Sequence, residues 1–225
     1  MNRQAPLIVF EGIDGAGTTT QAELLVEALR GAEKNPVHTH EPSDGPIGTM
    51  IRQMLSRRIV LPERDGVSES ITRETLALLF AADRMDHVAA TISPALDAGN
   101  AVVSDRYFHS SLVYQGDVEE GTDGSEQVDY AWVWSLNSRA LIPDITFFLE
   151  IDVATSMKRI SGRHSHDFYE THDKLKRLVR RYDEVMDVLA DFGQHIVRID
   201  GKLSVEEIHH VVWLEVDRFY SRLGG

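Results

Sequence analysis

The sequence predicts an α/β fold, in which helices cover both faces of a five-stranded, mainly parallel sheet. Three observations support this prediction. Short apolar segments alternate with longer segments of helical periodicity, a glycine-rich loop follows the first apolar segment, and polar clusters stand directly after several of the others. The 225 residues contain no repeat and no linker-like stretch, so we expect residues 1–225 to form a single domain.

The predicted strands are short apolar segments with the length and composition typical of a buried parallel sheet. In chain order they are Leu7–Phe10, Val37–His40, Ala101–Ser104, Ile145–Ile151 and His195–Ile199. Helices are predicted where apolar residues recur at spacings of three and four positions. These segments are Thr19–Arg30, Arg73–Asp97, Asp173–Phe192 and Val205–Leu223.

The loop after the first strand nearly matches a phosphate-binding motif. Residues 10–21 read FEGIDGAGTTTQ, and the motif G-x-x-x-x-G-K-[ST] would have a lysine where Thr18 stands. The N–H groups of such a loop, with the N-terminus of the following helix, bind polyphosphate even without that lysine. The predicted phosphate-binding residues are Gly12, Ile13, Asp14, Gly15, Ala16, Gly17, Thr18, Thr19 and Thr20.

Composition limits the other functions that the chain could have. The net charge of −13 argues against broad nucleic-acid binding, which needs clustered cations. The chain has no cysteine, no apolar run of about 20 residues and no signal-peptide pattern. We therefore expect a cytoplasmic protein that binds neither nucleic acid nor membranes. Anionic substrates such as nucleotides would have to be bound by local arginines and a metal ion, against the overall negative charge.

Polar residues follow three of the predicted strands, at the edge where parallel sheets bind ligands. They are Glu11–Thr18, Glu41–Pro42 and Asp105–Arg106. An arginine in this position can hold a phosphate with two parallel hydrogen bonds, and an aspartate can hold Mg²⁺ or orient the attacking group. The alternative for Asp105–Arg106 is a local salt bridge.

Two further groups of residues are suited to a nucleoside. Phe80 and Arg84 lie one helical turn apart, so the ring could stack on a base while the guanidinium reaches its edge or its phosphate. Core packing is the alternative for Phe80. Ser110, Ser111, Tyr114 and Gln115 would share one helical face that offers donors and acceptors, although a polar helix start explains them equally well.

Residues 159–172 are predicted to form a flap. Arg159 and Arg163 flank Gly162 there, and a mobile segment that carries arginines could close over phosphates and exclude water. An ordinary solvated loop is the alternative.

These pieces, in this order, resemble the thymidylate kinase family from Leu7 to about Trp213. The stretches that carry the resemblance are FEGIDGAG (10–17), EPSDGPIGTMIR (41–52), LLFAADRMDH (78–87), SDRYFHSSLVYQG (104–116) and RISGR (159–163). The resemblance implies a three-layer α/β/α P-loop kinase fold. It also implies a homodimer that transfers the γ-phosphate of ATP to dTMP with Mg²⁺, in dTTP synthesis.

The resemblance also implies roles for single residues. Phe80 would stack on thymine, Arg84 would contact the base or a nearby phosphate, and Arg106 would hold the acceptor's phosphate. Thr19 would meet Mg²⁺ with Asp105 near it, and Asp14 would lie between acceptor and metal. The remaining acceptor-site residues would be Glu41, Ser110, Ser111, Tyr114 and Gln115.

Three departures from the family pattern remove positive charge near the phosphates. Thr18 replaces a lysine, and His40 and Phe168 stand where arginines are common. Our hypothesis is that Arg163, together with Arg159, supplies the missing charge when the flap closes. Two other readings remain: a kinase for another nucleoside monophosphate, and a nucleotide-binding relative without activity.

Overall fold

The computed structural model describes residues 5–59, 63–64, 67–68, 71–116, 130–161 and 172–223. The strands are β1 Leu7–Glu11, β2 Val37–His40, β3 Glu63–Arg64, β4 Val67–Ser68, β5 Val102–Asp105, β6 Ile145–Glu150 and β7 Ile196–Asp200. The helices are α1 Thr18–Gly31, α2 Pro46–Leu55, α3 Arg73–His87, α4 Ser93–Asp97, α5 Phe108–Tyr114, α6 Tyr130–Asn137, α7 Val153–Ile160, α8 His172–Asp191 and α9 Val205–Leu223.

The main sheet has five strands in the order β2-β5-β1-β6-β7, and each neighbouring pair is parallel. Helices flank this sheet, so the predicted three-layer α/β/α fold is confirmed. The first strand of the chain is the middle strand, with β5 and β6 on its two sides. The loop that follows β1 therefore lies at the centre of the sheet's carboxyl edge, where ligands bind in such folds. The β3–β4 pair forms a separate two-stranded antiparallel ribbon.

The core forms where apolar helix faces cover the sheet. Residues 7–10 of β1 are fully buried, as expected for a central strand of a parallel sheet. The α1 helix buries Ala22, Leu25, Val26 and Leu29, the residues whose spacing predicted the helix. Among the described residues, no helix has both the length and the apolar composition needed to cross a bilayer.

The predicted strand boundaries agree with the structure to within about one residue, which is the usual uncertainty of such boundaries. The long helix predicted over residues 73–97 needs one correction. Its middle, Val88–Ile92, is a π-helical turn between α3 and α4. Pro94 explains the change, because its ring nitrogen has no N–H to donate to the carbonyl one turn earlier.

Candidate active site

The loop between β1 and α1 has the backbone shape that its glycines predict. Gly15 and Gly17 have φ angles of 83° and 100°, a left-handed region that side-chain-bearing residues rarely adopt. Gly12 is needed for a different reason. A Cβ added there would lie 2.8 Å from the Cβ of Ala16 and 2.9 Å from the carbonyl oxygen of Leu149. The loop therefore packs too closely against its neighbours for any larger residue at position 12.

The two threonines that follow Gly17 differ in exposure. Thr18 opens α1 and is buried, with 7% of its surface exposed, whereas Thr19 is exposed. The Thr19 hydroxyl donates to Asp105 Oδ2 at 2.5 Å. The predicted metal-binding pair is thus brought together from the loop and the end of β5.

This pair has the chemistry of a magnesium site. The second carboxylate oxygen of Asp105 is buried and has no hydrogen-bond partner among the described residues. Mg²⁺ is commonly held by one or two protein oxygens, with water and substrate phosphates completing its shell. A hydroxyl and a carboxylate beside a phosphate-binding loop fit that requirement. No group of three or more His, Cys, Asp or Glu side chains forms a fuller metal site within the described ranges.

Arg106 connects the phosphate-binding loop to the predicted acceptor side. Its Nη2 donates to Asp14 Oδ1 at 2.5 Å, and its Nη1 donates to the Gly12 carbonyl at 3.0 Å. On the other side, Nη1 lies 3.1 Å from Ser110 Oγ and 3.1 Å from the Tyr182 hydroxyl. Arg106 has a φ of 69°, an unusual angle for a non-glycine residue, which often marks a functional position.

Electrostatics keep the Arg106 guanidinium charged. Burial alone would lower its pKa, but the neighbouring Tyr114, Tyr182, Asp14 and Glu11 more than offset this effect and raise the pKa well above its usual value. The side chain is about one-fifth exposed, with a relative accessibility of 21%. A partly exposed, permanently charged arginine at this edge is suited to bind a phosphate.

Arg84 and Glu41 form a buried ion pair. The Arg84 Nε and Nη2 atoms donate to Glu41 Oε2 at 2.9 and 2.6 Å, and Arg84 is only 1% exposed. Nη2 also lies 3.1 Å from Ser111 Oγ, and Nη1 bonds to Asn137. The guanidinium is therefore held by protein groups on several sides. Its contact with a base stays a prediction, as does the stacking role of half-buried Phe80 one turn earlier.

The predicted nucleoside-facing residues lie on and just after α5. Ser111 and Gln115 are buried, and Gln115 Oε1 has no hydrogen-bond partner within the described ranges. The Tyr114 ring lies 5.5 Å from the guanidinium carbon of Arg106. This short helix thus brings Ser111 to Arg84 and Ser110 and Tyr114 to Arg106, and the role of these side chains in an acceptor pocket stays a prediction.

Arg159 lies near the end of α7, and its contacts differ from those expected of a flap residue. It donates to the carbonyls of Gly15 at 3.1 Å and Gly201 at 2.9 Å. One turn earlier, the buried Ser156 hydroxyl donates to the Asp14 carbonyl at 2.7 Å. These contacts fix the backbone of the phosphate-binding loop against α7. Arg163 and Phe168, and most of the predicted flap, lie outside the described residues.

Sequence reasoning gave no role to Tyr182 or Asp83, and it placed Glu11 in the polar cluster after the first strand without assigning it a function. Glu11 ends an apolar strand, and Asp83 interrupts an apolar helix next to Arg84, so a charge within an apolar segment could have singled out both. Asp83 accepts from the backbone N–H and the hydroxyl of Ser43 at 2.7 and 2.6 Å. Tyr182 reaches Arg106 from 76 positions along the chain, and no local pattern indicates such a contact.

Comparison with known proteins identifies the family. The family model for thymidylate kinase matches residues 10–212. The chain belongs to the thymidylate kinase family. A protein named "probable thymidylate kinase" from Thermococcus kodakarensis is 39% identical over 207 residues, covering 91% of this chain and 94% of that protein. The thymidylate kinase of Bifidobacterium longum is 36% identical over 211 residues, covering 93% and 94%. The resemblance seen in the motifs is therefore confirmed at the level of the family.

Proposed function

We propose that this protein transfers the γ-phosphate of ATP to dTMP and forms dTDP for dTTP synthesis. The observation that carries the proposal is the position of Arg106, which contacts the phosphate-binding loop at Gly12 and Asp14 and the acceptor helix at Ser110. Phosphoryl transfer depends mainly on positioning and on charge stabilisation, so a charged group between the donor and acceptor sites is well placed. Family membership independently favours dTMP as the acceptor.

Each side of the site has a proposed task. The loop N–H groups and the N-terminus of α1 bind the phosphates of ATP. Thr19 and Asp105 would hold Mg²⁺, which when bound neutralises charge that develops on the phosphate oxygens. Arg106 binds the acceptor's phosphate, and Asp14 restrains the guanidinium. Phe80 stacks on the base, and the α5 side chains line the nucleoside pocket.

The charge that lysine would supply at position 18 is proposed to come from Arg163. Because one well-placed donor is worth about 10²–10³ in kcat, Arg163→Ala should lower kcat by about that factor. Steady-state kinetics with saturating ATP and dTMP would measure the effect. Arg180→Ala is the matched control, since Arg180 is exposed and pairs with Glu184. A kcat for Arg163→Ala within about twofold of wild type would exclude an electrostatic clamp.

The alternatives are a kinase for another nucleoside monophosphate and a relative without activity. The purified protein should be incubated with Mg·ATP and a panel of nucleoside monophosphates, and the ADP formed should be measured. We expect dTMP to be the preferred acceptor. Preference for a different monophosphate would support the first alternative, and no ADP above background with any acceptor would support the second.

We also propose a homodimer that acts in the cytoplasm. The outer face of α3 carries an exposed apolar stripe that includes Leu78 and Met85, which are 50% and 40% exposed. Exposed apolar stripes of this kind commonly mark protein interfaces. A second copy of the chain is the proposed occupant, as the family resemblance implies. The absence of cysteine fits a reducing compartment.

A further inference from the structure

Glu11 is a buried carboxylate directly behind Arg106. It ends β1, has none of its surface exposed, and is not in the set of residues expected to touch a substrate. It accepts hydrogen bonds from the N–H groups of Tyr107 at 2.8 Å and Ser110 at 3.2 Å. It also accepts from the hydroxyls of Ser110 at 2.7 Å and Tyr182 at 3.0 Å. Its donors therefore come from both α5 and α8.

The carboxylate is ionised in spite of its burial. Burial by itself would raise the pKa of Glu11, but the neighbouring His109 imidazole, the charge of Arg106 and the Ser110 hydroxyl together lower the pKa below its usual value. His109 Nδ1 lies 3.5 Å from the carboxylate. A buried negative charge with several donors can orient them strongly, because charge-assisted hydrogen bonds are about twice as strong as neutral ones.

The hydroxyls of Ser110 and Tyr182 each have a single proton. The two hydroxyl oxygens also lie 3.0 Å from each other, but the ionised carboxylate is the stronger acceptor, so we expect both protons to point toward Glu11 Oε2. The lone pairs of both oxygens then face Arg106 Nη1, which lies 3.1 Å from each of them. The phenol retains its proton at neutral pH, because burial and the charge of Glu11 raise the pKa of Tyr182 well above its usual value.

We propose that Glu11 is a positioning residue for phosphate recognition, which acts through the Ser110 and Tyr182 hydroxyls to hold the Arg106 guanidinium toward the acceptor's phosphate. The inference rests on the proposed role of Arg106 in dTMP binding. It extends the acceptor site to Glu11 on β1, to which the motifs assign no role, and to Tyr182 on α8, which lies outside the motifs. Glu11 itself touches neither the substrate nor the reacting atoms.

A purely structural role for Glu11 would have a different effect on binding. Loss of packing would weaken the binding of any ligand at the acceptor site, with or without a phosphate. Misdirection of Arg106 would weaken the binding of dTMP and leave the binding of thymidine nearly unchanged. The ratio of the two dissociation constants, thymidine over dTMP, therefore separates the two roles and does not depend on turnover.

The test uses Glu11→Gln and Tyr182→Phe in the full-length protein, with calorimetric titration of dTMP and thymidine. Glutamine keeps the shape of the side chain but replaces one acceptor oxygen with an N–H₂ donor. That donor faces either the two hydroxyls, which it reverses, or the backbone N–H groups of Tyr107 and Ser110, which repel it. Phenylalanine removes only the Tyr182 hydroxyl and keeps the ring, which stacks on Phe148 at 5.4 Å. Glu150→Gln is the matched control, since Glu150 ends the neighbouring strand β6 and bonds to Arg198 at the surface.

The dTMP preference is the dissociation constant of thymidine divided by that of dTMP, and we expect Glu11→Gln to lower it about tenfold. Effects of this size are found in metal sites when a group that orients a ligand-binding residue is lost. Tyr182→Phe should lower the dTMP preference about threefold, at the low end of the effect expected for the loss of one net hydrogen bond, because Ser110 still contacts Arg106. Glu150→Gln should leave the preference within about twofold of wild type, because it touches neither Arg106 nor its partners.

The Arg106→Ala variant shows whether the inference about Glu11 or the proposed acceptor site has failed. If it abolishes the dTMP preference while Glu11→Gln and Tyr182→Phe leave the preference unchanged, the inference about Glu11 is wrong and the acceptor role of Arg106 stands. If Arg106→Ala keeps the preference, or the wild-type protein does not distinguish dTMP from thymidine, the proposed acceptor site fails and the inference fails with it. Should Glu11→Gln fold poorly, Tyr182→Phe alone decides the outcome.

Discussion

At the scale of single residues, the charge around the phosphates depends on position 18 and on the arginines that can reach the loop. The Thr18 side chain is short, and only 7% of its surface is exposed. It therefore cannot extend to the phosphates as a lysine would. Two arginines in the described part of the chain bond to this loop. Arg106 is engaged by Asp14 and Arg159 by backbone carbonyls. Both contribute positive charge but are already engaged by protein groups, and we propose that a further cation serves the γ-phosphate.

Thr18→Lys should therefore rescue the Arg163→Ala variant. In the wild-type background we expect Thr18→Lys to raise kcat less than about tenfold, because Arg163 already supplies the charge. In the Arg163→Ala background it should raise kcat by about 10². Steady-state kinetics would measure kcat with and without Thr18→Lys in each of the two backgrounds. Glu27→Lys, on the exposed side of α1, is the control for an added charge. A large gain in the wild-type background would mean that the natural enzyme lacks that charge altogether.

The buried charge of Glu11 predicts a specific dependence of stability on pH. Its pKa in the folded protein lies below the usual value of 4.5, so its ionised form stabilises the fold above about pH 4.5. That contribution is lost as pH falls through the lowered folded pKa. Urea unfolding at several pH values between 7 and 3 should show the difference in unfolding free energy between wild type and Glu11→Gln decreasing as pH falls. A difference independent of pH would contradict the assigned ionisation.

At the scale of secondary-structure elements, α7 holds the phosphate-binding loop in place. Ser156 and Arg159 lie about one turn apart on α7, and both donate to carbonyls of the loop. Arg159 also bonds to Gly201, in the turn between β7 and α9. The loop is thus held by α7 as well as by Arg106. A loop fixed in advance loses less conformational entropy when it closes around phosphates.

Arg159→Met should consequently raise the KM for ATP more than the KM for dTMP. Methionine keeps much of the length of the side chain but removes the contacts to the carbonyls of Gly15, Ala16 and Gly201. We expect about a tenfold rise in the KM for ATP, because only part of the free energy of the lost hydrogen bonds is transmitted to ATP through the loop. Lys158→Met is the control, because Lys158 is the exposed neighbour on the same helix. Equal changes in both KM values would indicate a general disturbance of the fold.

At the scale of the whole molecule, the exposed stripe on α3 predicts how two chains associate. Leu78→Glu should shift the protein from dimer to monomer, because it places a charge in an apolar contact. Sedimentation equilibrium over a range of protein concentrations would measure the shift. Val188→Glu is the control, since Val188 is equally exposed, at 52%, on α8. A wild-type protein that is monomeric at all concentrations would contradict the proposed dimer.

The sequence by itself determined the fold class, the order of the five main strands along the chain and the family. These features depend on local patterns: apolar segments fit a buried strand, recurring apolar residues fit a helix, and loop glycines fit positive φ angles. The glycines of residues 12–17 and the residues after β5 were identified in this way. So was Arg84, as a charge within an apolar helix.

Only the tertiary structure decided which distant side chains meet. Glu11, Tyr182 and Arg106 come from β1, α8 and the end of β5, and their contacts depend on how the helices pack on the sheet. The same packing buried Arg84 against Glu41 and turned Arg159 toward the loop carbonyls. Spacing along a chain predicts which residues share a face of one element. Contacts between elements arise from the packing of the whole core, which no single segment encodes.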